Sequence, residues 1–459
     1  MLDMIIANGT LVNADKSIHA DMAVKDGKIV AIGDQHYFPS ATRVIDATGK
    51  LVMPGLIDSH VHINLDMGEF VTLDTVENAT LSAAYGGTTS MIEFAVPVGD
   101  QPPLAALEKT RKEADGHSFI NYSFHSCITR FNDQSMADIR DIISSGIPSV
   151  KMFTIYKETV MLEMLGIYEV LKEVGKRGVL AKIHAENAPM IEAMIAQCIK
   201  DNRTTPYWHA KSRPPVSESS AVAGLIPIIQ ETGAAVQYAH MTSSSVRDTI
   251  YDAKRRGLPV YTEFCPHYLV LGEEVYNRPD AENFVCSPPM RSTEDRAGLW
   301  KMISEGLCDV ISSDHSAYDT KQKQMYKEFF PKMPNGLPGI ETRAMVIFSE
   351  GVSKGRISEN DFVRMLSTND AKLMGMYPEK GILAVGADAD IILIDPKVKS
   401  TLSIEALHMQ TDYTPFEGLE LTGKITDTII NGIHVIKDGQ CINDTFRGTE
   451  ISRHTPDFY

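Results

Sequence analysis

Leu56-Ile57-Asp58-Ser59-His60-Val61-His62 is an apolar run that closes on two histidines at i and i+2. On an extended strand alternate side chains share a face, so both imidazoles can reach one metal ion. An isolated pair of this kind also reads as two satisfied histidines at a strand end, so its surroundings decide. Outward from it, apolar runs recur at 52–57, 88–94, 120–126, 149–153, 179–184, 235–240, 259–264 and 309–313. Longer polar stretches with helical spacing separate most of them, as from Leu162 to Lys176 and from Ser243 to Arg256. Continuous apolar strands alternating with helices indicate parallel βαβ units covered on both faces. Eight units over roughly 250–300 residues fit a (β/α)8 TIM-like barrel, expected here over 54–375. A doubly wound open sheet is the alternative, but no GxGxxG follows the early strands.

The two ends have a different texture. Met4-Ile5-Ile6-Ala7 meets Asn8-Gly9, and Ala23-Val24 is followed by Asp26-Gly27, both strong hairpin signals. Short β-branched runs return at Ala389 to Ile394 and at Thr428 to Ile436. Residues 1–53 and 376–442 are therefore expected to form one small β-sandwich domain, with 443–459 as a C-terminal tail.

Forty-four basic against sixty acidic residues leave a net charge of −16, which disfavours nucleic acid and anionic membranes as partners. With 43% hydrophobic and 23% charged residues the 459-residue chain has material for a large core. No apolar window is long enough for a membrane span, and Met1-Leu2-Asp3-Met4 does not open a basic, then apolar, secretory signal. Six cysteines without a CxxC pair read as reduced thiols of a cytoplasmic protein.

Of fourteen histidines, His19, His36, His408, His434 and His454 lie in terminal or polar segments and are expected at the surface. The informative ones end apolar runs. His184 closes 179–183, His240 closes 235–239, and Asp314 closes 310–313. In a barrel, active-site groups gather at the C-terminal ends of the strands. Four imidazoles and a carboxylate on one rim suit a zinc-like ion. Each taken singly has a structural reading, but all five share this placement. Lys151 ends the run 148–150 and joins the same rim. Its amine is either a lysine reaching out from a strand end or the site of a carbamate that bridges two metals, and residue chemistry alone leaves both open.

More specific stretches carry a resemblance. They are Lys151-Met152-Phe153-Thr154-Ile155-Tyr156-Lys157, Cys286-Ser287-Pro288-Pro289-Met290-Arg291, Pro334-Asn335-Gly336-Leu337-Pro338-Gly339-Ile340-Glu341 and Asp412-Tyr413-Thr414-Pro415-Phe416-Glu417-Gly418. With the HxH, lysine, histidine, histidine, aspartate order, the chain resembles the hydantoinase and dihydropyrimidinase group of the amidohydrolase superfamily over nearly its whole length. The resemblance implies two divalent metal ions per subunit, zinc by default. His60 and His62 would hold one and His184 and His240 the other, with Lys151 bridging as its CO2-derived carbamate and Asp314 completing the first site. It further implies that Tyr156 bonds the scissile carbonyl as it becomes an oxyanion, and that Ser287 and Asn335 fix the cyclic amide through backbone groups. Asp314 would pass the proton from water to the leaving nitrogen. The implied reaction is hydrolysis of a hydantoin or dihydropyrimidine to an N-carbamoyl amino acid, in a homotetramer.

The segment after the HxH pair, Ile63-Asn64-Leu65-Asp66-Met67-Gly68-Glu69-Phe70, lacks the proline usual in the group. Leu65, Phe70 and Phe153 are candidate walls for the exocyclic substituent, and Glu69 is a candidate for admitting a polar or basic one. Simple loop packing is the alternative for all four. An allantoinase-like activity, another cyclic ureide hydrolase, and a non-catalytic dihydropyrimidinase-like scaffold are the competing readings. The scaffold is disfavoured because all six ligand positions are intact.

Overall fold

The computed structural model describes residues 1–459. Its centre is an eight-stranded parallel sheet: β1 (Leu56–Val61), β2 (Thr88–Ala95), β3 (Asn121–Cys127), β4 (Ser149–Phe153), β5 (Leu180–His184), β6 (Ala235–Tyr238), β7 (Val260–Phe264) and β8 (Val310–Ile311). Neighbours in space are neighbours in sequence, and a parallel bridge between Val61 and His315 joins the last strand back to the first. The fold is the TIM-like barrel expected from the alternation of strands and helices. Every residue of β1–β8 is buried, which is why these strands read as continuous apolar runs rather than alternating ones. Of the two stretches singled out for helical spacing, one is the helix Met164–Arg177. The other is a short 3-10 turn, Ser244–Val246, leading into the helix Arg247–Arg255.

The first apolar run differs from expectation. Residues 52–57 are not one strand: Leu51–Pro54 pairs antiparallel with Ile391–Ile394 in a terminal sheet, and β1 starts only at Leu56. The break falls at Gly55, where a Cβ would collide with the Thr89 side chain on β2. Only glycine lets the chain pass from one sheet to the other at that distance.

Strands from both ends of the sequence share a seven-stranded sheet. Its order is Gln440–Cys441, Ile433–Lys437, Glu420–Ile430, Ile391–Thr401, Leu51–Pro54, Thr10–Val12 and Ser17–His19. A four-stranded sheet built from Lys28–Gly33, Asp21–Lys25, Leu2–Ala7 and Ala41–Asp46 faces it. Met4, Ile6, Met22, Val24, Val52, Ile391, Leu393 and Ile429 fill the space between as one apolar cluster. Asp26-Gly27 makes the expected two-residue hairpin, with φ of 49° and 75° as a type I′ turn requires. Asn8-Gly9 does not. Leu2–Ala7 and Thr10–Val12 enter different sheets, so the turn at Asn8 hands the chain from one layer to the other.

His434, expected at the surface, is 4% exposed, with Nε2 3.0 Å from Asp427 Oδ1. Its strand is covered on that face, and Asp427 supplies the polar partner a buried ring requires. The last residues lie along the N-terminal ends of β3 and β4. Thr449 O accepts from Tyr122 N, Ile451 N donates to Tyr122 O, and the buried Arg453 donates to Phe124 O and Ser149 Oγ.

Candidate metal centre and active site

The opposite, C-terminal end of the barrel carries a pocket of about 350 Å³. His60 and His62 reach it from the end of β1, Lys151 from inside β4, and His184 from the last residue of β5. His240 and Asp314 follow β6 and β8 by two and three residues. All six line the pocket together with Tyr156, Ser287 and Asn335. Residues spread over 276 positions of sequence (60 to 335) thus meet because they lie in or near the C-terminal halves of the parallel strands or in the loops that follow them.

His60 Nε2 lies 3.0 Å and His62 Nε2 3.5 Å from the same Asp314 oxygen, Oδ1. The His60 and His240 rings are 5.3 Å apart and those of His184 and His240 4.4 Å. Ligand atoms of His60, His240 and Asp314 fall within 4.8 Å of one another. Phe94 on β2 packs against both histidines of the HxH pair, at 4.7 and 4.8 Å between ring centres.

The electrostatics suit cations that arrive with open coordination sites. Burial draws His62 down to about 4 and also lowers His184 and His240, so these imidazoles are neutral and keep a lone pair. Burial would raise the Asp314 carboxyl, but His60 and the bonds from both HxH rings outweigh it and hold it well below its usual range. Lys151 is fully buried. Burial, then the nearby Lys182 ammonium, brings it down to about 8. Its Nζ has no hydrogen-bond partner and lies 4.9 and 5.1 Å from the ring centres of Phe94 and Phe153. Buried His62 Nδ1 and His240 Nδ1 are also without partners. Unpaired buried polar atoms are costly, so a cluster of them around four imidazoles and a carboxylate fits a divalent-ion site.

Backbone conformation marks the same place. Tyr156, His240 and Asp314 adopt φ of 70°, 38° and 50°. Such geometry costs of the order of 1–3 kcal/mol per residue and persists where the surroundings impose it, most often at functional sites. Tyr156 lies in the loop after β4, where its carbonyl accepts from the backbone N–H groups of Thr159, Val160 and Met161. Its ring centre is 5.6 Å from that of His184, and burial pushes its phenol upward, so it remains a donor. Ser287 Oγ donates to Asn335 Oδ1 at 3.3 Å, joining the two segments across the pocket floor. Leu65, Phe70, Val96, Phe153, Val160 and Met333 form an apolar part of the remaining wall, which Ser316, Tyr318 and Lys332 complete. Glu69 is at the exposed mouth and accepts from the Tyr326 hydroxyl, so it does not face an incoming substituent unpartnered.

Two carboxylates behind the ligands escaped the sequence reading. Glu186 Oε2 is 2.8 Å from His184 Nε2, and Glu263 Oε1 is 2.5 Å from His60 Nδ1. Both are fully buried. A signal existed: Glu263 and Lys182 interrupt otherwise apolar barrel strands, and Lys182 has the same parity as His184, hence the same face.

The family model described as the amidohydrolase family matches residues 51–435. The chain belongs to the amidohydrolase family. Among amidohydrolase relatives, a D-hydantoinase of Geobacillus stearothermophilus is 37% identical over 453 residues, covering 98% of this chain and 96% of the relative. The solved dihydropyrimidinase of Brevibacillus agri NCHU1002 is 36% identical and superposes with a TM-score of 0.97 over 99% of both chains. The L-hydantoinase (dihydropyrimidinase) of Arthrobacter aurescens is more distant, 29% identical with a TM-score of 0.88, over 96% of this chain and 98% of the other.

Proposed function

We propose that this amidohydrolase opens a cyclic amide, a hydantoin or a dihydropyrimidine, to the N-carbamoyl amino acid. The observation that carries this reading is the fully buried, partnerless Lys151 amine set among four histidines and Asp314. An ammonium there would face two cations. Carboxylated by CO2, the same side chain is an anion able to bridge them. His60 and His62 would hold one ion and His184 and His240 the other, with Asp314 completing the first site. Zinc suits this nitrogen and oxygen set. When bound, two such ions supply an activated water at neutral pH and polarise the carbonyl.

The chain's own groups perform the rest. The Tyr156 hydroxyl donates a hydrogen bond to the carbonyl oxygen as negative charge develops there. Backbone groups of Ser287 and Asn335 hold the ring amide in register. Asp314 takes a proton from the attacking water and returns it to the ring nitrogen as the C–N bond breaks. The apolar wall receives the exocyclic substituent. Leu65→Ala is expected to cut kcat/KM for a hydantoin bearing a bulky apolar substituent by roughly 10-fold, about the worth of one or two buried methylenes. The unsubstituted ring should change little, and equal losses on both substrates would remove Leu65 from the wall.

The direct experiment incubates metal-loaded protein with 5-substituted hydantoins and with dihydrouracil, and follows ureido acid formation. Protein carrying two ions that opens neither ring would overturn the proposal. The small-molecule ring is the only partner proposed, with neither nucleic acid nor membrane, and no helix is long and apolar enough to cross a membrane. Six unpaired cysteines support a reducing, cytoplasmic setting. A homotetramer is the proposed assembly, and light scattering should give four times the 50.6 kDa chain mass at micromolar concentration. A particle of one chain would exclude it.

A further inference from the structure

Below the ligand ring lies a buried ion pair that the proposed chemistry does not use. Glu263 on β7 and Lys182 on β5 are both wholly buried, with Oε2 and Nζ 2.5 Å apart. Buried pairs of this kind are poor stabilising devices, because desolvation consumes most of the Coulombic gain. Their partners here are specific. Glu263 Oε1 is 2.5 Å from His60 Nδ1 and accepts from the His240 backbone N–H at 3.1 Å. Lys182 Nζ donates to the carbonyl of Ser59, the residue before His60, at 2.7 Å. One carboxylate thus touches segments bearing two ligands, β1 and the turn after β6 at His240, while its counterion grips the backbone of β1.

We infer that Glu263, neutralised by Lys182, is the positioning residue of the metal centre. By accepting the His60 Nδ1–H it fixes the tautomer that presents Nε2 to the ion, and by accepting the His240 N–H it sets the strained turn from which His240 projects. The inference rests on the dinuclear site proposed above. Several observations agree with it. His60 Nε2 is the atom directed at Asp314 Oδ1, 3.0 Å away, so the ring already points its ligating nitrogen into the site. His240 has a φ of 38°, and the Glu263 bond is made by that residue's own N–H. A charged acceptor behind an imidazole raises the basicity of the nitrogen that binds metal, and losing such a partner typically weakens metal affinity by about 10–100-fold.

Two variants separate positioning from simple structural pairing. Glu263→Gln combined with Lys182→Met removes both charges, so neither is left stranded. Glu263→Asp keeps the charge and the lysine but withdraws the carboxylate by one methylene. For each, zinc content is measured across a chelator series, thermal unfolding is followed, and the visible spectrum of the cobalt-substituted protein is recorded. Both variants should hold the ion bound by His60 about 10–100-fold more weakly, with a changed cobalt spectrum, and should also weaken the ion bound by His240 through its altered turn. Two ions held with parental affinity and an unchanged cobalt spectrum in both variants would overturn the inference. If the double variant does not fold, the aspartate variant decides by the same criteria. Parental protein that itself holds fewer than two ions would instead sink the dinuclear reading, so the two failures are distinguishable.

Discussion

Lys151→Ala is expected to abolish ring opening to a level below that of any single-donor variant, which would retain about 1 part in 10²–10³ of turnover. The reason is that the proposed carbamate would supply a ligand to both ions at once. Its removal would leave His60 and His62 on one side, and His184 and His240 on the other, without the anion proposed between them. Metal content should fall from two ions per chain to one or fewer. A short carboxylic acid such as propionate fits the space vacated by the lysine stem and should restore part of both metal content and rate. The cavity supports this rescue, because Lys151 sits among Phe94, Phe153 and His184 without a bond to any other side chain. Elemental analysis with and without the acid is the decisive measurement. Full two-ion loading of the alanine variant without added acid would show that Lys151 does not bridge.

Tyr156→Phe should leave metal content unchanged and lower kcat by roughly 10²–10³, equivalent to about 2.7–4 kcal/mol. The hydroxyl is proposed to meet charge that exists only in the transition state, so kcat and kcat/KM should fall by similar factors. A rise in KM alone would make Tyr156 a contact to the ground state. Unchanged constants would remove it from the reaction. The backbone adds a reason for expecting a specific role. A bulky side chain at φ 70° is an outlier, and the cost of holding it there is met by packing around the loop rather than by the residue's own preference.

The barrel was legible because its strands are buried on both faces and therefore appear as uninterrupted apolar runs. The gathering of His60, His62, Lys151, His184, His240 and Asp314 in one pocket was legible for a related reason: polar metal-binding types at the ends of such runs have no comfortable place unless the ends share a site. Gly55 shows where this reading fails. Residues 52–57 are uniformly apolar although a sheet boundary runs through them, since sandwich and barrel strands both bury this segment and composition does not change across the boundary. Asn8-Gly9 failed differently, because a turn signal reports local backbone geometry and not which sheet receives the next strand. His434 read as surface because its partner Asp427 comes from the neighbouring strand, invisible in a local window. Glu186 and Glu263 were hidden behind the residues they contact. The charge of Glu263 inside a buried strand was visible in sequence, but the partners of both carboxylates become evident only once His60 and His184 have been placed in space.

The pairing of Leu51–Pro54 with Ile391–Ile394 also carries a consequence for biosynthesis. The strand leading directly into the barrel cannot find that partner until more than three hundred further residues have left the ribosome. Thr10–Val12 has both its partners, Leu51–Pro54 and Ser17–His19, early, so the edge left open in that interval is the one Leu51–Pro54 will offer to Ile391–Ile394. Open edges and unfinished parallel sheets are the segments most prone to stray association. Added chaperone capacity should therefore raise the soluble yield of this protein more than raising its equilibrium stability would.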